Sequence, residues 1–99
     1  MNTDEKLARQ AIHDKLESQI NTADAKLNTL KARAQTAKAN VELKAITELL
    51  TRKQTIAQKL QELKKSGEDR FEQVRADIEA QIADFDKSVK GIESKVNSN

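Results

Sequence analysis

Apolar residues in the first part of the chain fall at Ile12, Leu16, Ile20, Ala23, Leu27, Leu30, Ala34, Ala37 and Val41, at intervals of four, four, three, four, three, four, three and four. Steps of three and four place them along one face of an α-helix as a narrow seam. A helix with 3.6 residues per turn keeps such a seam against a neighbour only by winding around it, so the pattern predicts a second helix alongside and asks for no substrate. The rhythm carries on through Ala45, Leu49, Ile56, Leu60 and Leu63, and Leu43, Ile46 and Leu50 widen the face toward more than one neighbour. Thr36 and Asn40 are weak helix formers, but no glycine or proline stands between residues 35 and 40. The pattern therefore predicts one continuous helix over about residues 3–65, with Asn2, Thr3 or Asp4 capping its start.

The stretch Lys64-Lys65-Ser66-Gly67-Glu68-Asp69 interrupts the pattern with stop and start signals in the expected order. Two lysines suit a last turn, Gly67 is available for a left-handed C-cap, and two acids suit a new first turn. Ser66 and Asp69 also have the spacing of a capping box. The chain is expected to reverse at Ser66–Gly67. Beyond it, Phe71, Val74, Ile78, Ile82, Phe85, Val89, Ile92 and Val96 form a bulkier second seam, which predicts a helix over about residues 68–96.

Charge sharpens this picture. Through Ser66 there are 13 basic and 8 acidic residues, a net of +5; from Gly67 onward there are 5 basic and 8 acidic, a net of −3. Lys26, Lys31, Arg33 and Lys38 flank the first seam, and Glu79, Asp86 and Glu93 flank the last. A parallel dimer of the first helix would set Lys26 against Lys31 and Arg33 against Lys38, so the C-terminal helix is the better partner. Folded back at Gly67, its roughly thirty residues span about 45 Å, which reaches only to about residues 36–40. The expected architecture is thus all-α, an antiparallel helical hairpin completed by self-association of the uncovered first third. The alternative is a three-helix up-down-up bundle with a further turn near residues 35–40.

Composition narrows the class further. The 99 residues make one domain, residues 1–99, in which Leu, Ile, Val and Phe number only 22, charged residues reach 34%, and proline and cysteine are absent. That profile belongs to long helices and coiled coils, and it excludes disulfide frameworks and thiolate metal sites. No apolar run is long enough for a transmembrane helix, and Met1 to Lys6 lack the order of a signal peptide, so the expected location is cytoplasmic.

Candidate chemistry adds little. His13 is the only histidine and, with Asp14 and Glu17 nearby, is expected to be an exposed surface residue with no metal, because no second His or Cys completes a site. No serine sits in a nucleophile elbow, no glycine-rich phosphate loop exists, and carboxylate pairs such as Glu68 with Glu72 lie on charged helix faces. No catalytic, cofactor or metal residues are therefore expected. The sequence reads as a non-enzymatic, self-associating helical interaction module, a homo-oligomer with room for a further protein partner. An amphipathic membrane-surface protein is the alternative. Nucleic-acid binding through the basic strip that includes Lys44, Arg52 and Lys53 stands behind both, since acids interleave it and no stacking aromatics accompany it.

Overall fold

The structure, a computed structural model, describes residues 3–98 and contains three helices: α1 Thr3–Thr36, α2 Asn40–Lys65 and α3 Glu68–Ser98. The expected cap at Asn2 falls outside the described residues, as do the side chains of Thr3 and Asp4. Every pair of helices is in contact. Cross-helix pairs give the directions: Asp24 with Lys53 and His13 beside Leu63 set α1 and α2 antiparallel, Lys59 with Asp77 and Arg52 with Asp84 do the same for α2 and α3, and Arg9 with Glu68 and Lys26 with Glu93 set α1 and α3 parallel. The result is an up-down-up rod whose Cα trace extends over 53 × 17 × 16 Å.

The chain is all-α as expected, but the continuous helix over residues 3–65 is not formed; the three-helix alternative is the architecture. The break is a Schellman motif: Ala39 N donates to Ala34 O at 2.9 Å and Lys38 N to Gln35 O at 3.2 Å, with Lys38 at φ 56°. Glycine usually holds that left-handed position, and a residue with a Cβ loses about 1–2 kcal/mol there. Tertiary burial outweighs this loss. Without the break, Leu16, Ile20, Leu27 and Leu30 would keep an uncovered side, whereas in the bundle they are buried, and full burial stabilises such side chains by roughly 1.5–3 kcal/mol each. The uncovered first third that called for a second copy does not arise, because α3 runs back along α1.

The break also resets the register of α2. Ala39 and Leu43 pack against the core and Ile46 is fully buried, while Val41, expected in the seam, is 76% exposed. The reversal at Ser66–Gly67 is present, by a different device from the one expected. Ser66 is extended at φ −72° and ψ 146°, its N donates to Leu63 O at 3.3 Å, and its Oγ donates to the same carbonyl at 2.8 Å. Ser66 therefore closes α2 rather than opening α3. Gly67 is not left-handed; its carbonyl accepts from Arg70 N and Phe71 N, which makes it the N-cap of α3. A Cβ at Gly67 would meet nothing within 4 Å, so the reversal does not depend on the lack of a side chain there.

The core is the sum of the seams. Leu16, Ile20, Ala23, Leu27, Leu30 and Ala34 of α1 meet Ile46, Leu49, Ile56, Leu60 and Leu63 of α2, and Phe71, Ile78, Ile82, Phe85, Val89, Ile92 and Val96 of α3. Ile12 and Val74 pack on its edge.

Two outcomes follow for stability. Leu27→Ala or Phe85→Ala should lower the unfolding free energy by about 2–5 kcal/mol, and losses under about 0.5 kcal/mol would place these side chains outside the core. Lys38→Gly should raise it by about 0.5–1 kcal/mol by relieving the left-handed residue. Urea denaturation measures both, and a destabilised Lys38→Gly variant would contradict the turn.

Candidate interaction surfaces

Most of the expected seam residues form the interior, Val41 being exposed and Ile12 and Val74 at its edge, so what the protein offers to a partner lies at the seam margins, in the grooves between helices and at the two ends of the rod. Of the expected margins, Lys26 Nζ pairs with Glu93 at 3.3 Å, and Arg33 Nη1 donates to Asn97 Oδ1 at 2.9 Å. Glu79 and Asp86 instead pair along their own helix, with Arg75 at 2.9 Å and Lys90 at 3.2 Å. Lys31 and Lys38 enter no ion pair among the described residues.

Further cross-helix pairs are Arg9 with Glu68 at 3.9 Å, Arg52 with Asp84 at 3.9 Å, Lys59 with Asp77, and Lys53 with Asp24 at 3.5 Å. With Lys26 and Glu93 they make five, and in four the base is on α1 or α2 and the acid on α3, the direction the charge imbalance favours. Exposed pairs of this kind contribute under about 1 kcal/mol each and serve alignment more than stability. Hydrogen bonds from Lys59 and then Gln81 hold the Asp77 carboxyl below its ordinary value of 3.8. A lowered carboxyl stabilises the fold above its unfolded value, and that contribution is lost as pH falls through the lower folded one.

Two polar residues enter the seams themselves. Lys53 takes a core-facing position between Leu49 and Ile56 and reaches Asp24 from there, both side chains remaining half-buried. A charged residue in one layer fixes which helix faces which, since any shift of register would strand it. His13, expected on the surface, is only 4% exposed. Its Nδ1 lies 3.4 Å from Asp14 Oδ1 and its Nε2 is buried without a hydrogen-bond partner. Arg9, Leu63, Lys64, Ser66 and Phe71 surround it around a cavity of about 50 Å³, and the Arg9 guanidinium lies 5.0 Å from the centre of the Phe71 ring.

The sequence does carry the signal for His13. Reading the alternation of three and four back from Ile20 through Leu16 arrives at residues 13 and 9, whereas choosing Ile12 needs two steps of four in succession. The same alternation from Ile46 through Leu49 arrives at Lys53. In both places polarity hides a core position.

Between the helices run two open grooves. One of about 540 Å³ lies between α1 and α3, lined by Ser18, Thr22, Ala23, Ile82 and Ala83 with Lys26, Glu79 and Asp86 at its edge. Another of about 530 Å³ lies between α2 and α3, with Leu49 and Ile92 as its floor and Ala45, Ser88 and Gly91 as its walls. Among the described residues no group of three His, Cys, Asp or Glu side chains is placed to hold a metal ion, and no helix is long and apolar enough to cross a membrane. Comparisons with protein-family models, curated proteins and solved structures find no match to this chain.

The buried imbalance at His13 generates a test. His13→Leu should raise stability at neutral pH by about 1 kcal/mol or more, because it removes an unpartnered polar atom and extends the seam. A loss of stability in urea denaturation would show that the imidazole holds a partner that leucine cannot replace.

Proposed function

We propose that this chain is a non-enzymatic helical interaction module whose working unit is the folded three-helix rod. One observation supports the reading most directly: apart from the exposed Leu7 and Val41, the large apolar residues of all three helices turn inward on one another, which leaves charged faces, open grooves and two ends for contact with other molecules. The parallel course of α1 and α3 carries the chain from one end of the 53 Å rod to the other, the geometry of a spacer. Open grooves between packed helices suit side chains or a helix of a protein partner better than a small molecule that needs a concave pocket. Self-association keeps only the outer surfaces available to it, since the seams are engaged within one chain.

Circular dichroism and light scattering test this reading, with concentration taken from refractive index because the chain has no Trp or Tyr. The module should be highly helical in buffer, have a mass near 11.1 kDa, and melt cooperatively at a midpoint independent of protein concentration. Twice that mass, with a midpoint that rises with concentration, would return self-association to the function. Low helicity in buffer that climbs when anionic vesicles are added would overturn the reading in favour of a bundle that opens onto lipid.

A further inference from the structure

Among the described residues, His13 Nε2 is the one buried side-chain nitrogen or oxygen without a hydrogen-bond partner. Folding alone does not favour an imidazole at this seam position, where leucine would fit without the cost of a buried polar atom. The cavity beside the ring supplies a use for it.

Local geometry turns the nitrogen that way. A helical side chain leans over the turn before it, and for His13 that turn carries Arg9 and Gln10, both of which line the cavity of about 50 Å³. Nδ1 is directed at Asp14, 3.4 Å away and outside the lining, so the ring edge left for the cavity is the one that carries Nε2. Leu63, Lys64 and Ser66 close the space from the end of α2, and Phe71 closes it from α3.

Charge and size decide the occupant. The lining holds two cations, Arg9 and Lys64, and no carboxylate. Glu68 approaches Arg9 only to 3.9 Å, and Lys64 enters no ion pair among the described residues. Both charges disfavour a metal ion and both favour an anion. A water needs roughly 10–15 Å³, so about 50 Å³ has room for something larger than water, yet it is far below the roughly 300–1,000 Å³ of a pocket for an organic ligand.

We infer that the cavity beside the α2–α3 turn binds a small inorganic oxyanion of the sulfate or phosphate class, held by Arg9, Lys64 and His13 Nε2. A carboxylate only accepts hydrogen bonds, so a ring placed between Asp14 and the bound anion carries both of its protons. Binding takes up that second proton: Asp14 and the anion favour it, Arg9 and Lys64 oppose it, and Glu68 of α3 acts on the site through Arg9. Because its ligands come from α1 and from the end of α2, the anion clamps this end of the rod. The inference needs the folded bundle and does not depend on what partner the module has.

The chain has a single histidine, so proton NMR of the full chain reads the site from one set of imidazole resonances. At pH 6, sodium sulfate should shift them saturably, and sodium chloride at equal ionic strength should not. Sulfate keeps its charge between pH 6 and pH 8, and its affinity should fall about tenfold or more over that range as the ring loses its second proton. Arg9→Gln should weaken binding about tenfold, and Lys64→Gln should weaken it less, because that lysine is exposed. Lys31→Gln, about five turns further along α1, should leave it unchanged. His13→Leu, followed by calorimetry, should lose sulfate binding and keep its helicity, so the loss of the site is not a loss of the fold. A shift that does not saturate, an equal response to chloride, an affinity that does not fall with rising pH, or equal losses for Arg9→Gln and Lys31→Gln would overturn the inference and leave the cavity to water. Helicity recorded in the same samples separates the two levels: full helicity without sulfate binding removes only the anion site, whereas low helicity removes the folded module itself.

Discussion

Burial of the narrow apolar seam of α1 is the constraint on which the rest of this structure depends. One helix laid against that seam covers one side of it, and Leu16, Ile20, Leu27 and Leu30 are buried because α2 and α3 lie against it together. Supplying two neighbours from a single chain of this length requires two reversals. The first has no glycine or proline to help it and uses a lysine in a left-handed conformation. The loss of about 1–2 kcal/mol at that residue is small beside the burial of even two leucines.

Direction and register come from polar residues. Hydrophobic seams of similar width slide and swap readily, but Lys53 inside the seam of α2 is matched by Asp24 on α1 alone, and four cross-helix pairs draw the acidic α3 to the more basic α1 and α2. Each pair contributes little to stability, and together they select one of several arrangements of the same three helices. His13 belongs to this group by position but not by pairing: its Nε2 is buried and unpartnered beside the α2–α3 turn. That end of the rod carries an uncompensated polar atom, and the other end carries a strained backbone and an exposed valine. The middle of the rod has neither.

Such a distribution bears on function. The interior layers are occupied by the chain's own apolar residues, so recognition falls to surfaces that folding leaves free to vary. The grooves beside α3 are open and mixed in character. On the function proposed above, such a module would act through what it spans, and the parallel course of α1 and α3 along the rod suits that role.

Much of this was legible in the amino-acid sequence. The seams, the all-α class, the reversal at Ser66–Gly67 and the attraction between the two parts of the chain follow from spacing, punctuation and charge, all of which act over a few residues or through simple sums. Tertiary structure decided the rest. Between residues 35 and 40 the local preferences differ by well under about 1 kcal/mol per residue, so Thr36 and Asn40 neither force nor forbid a break there. The deciding quantity, burial of the α1 seam against two neighbours, exists only once those neighbours are in place. The same reason exposes Val41, which lost its place in the seam when the turn reset the register of α2, and buries His13, which fills a core layer through its position in the three-four rhythm and against its polarity.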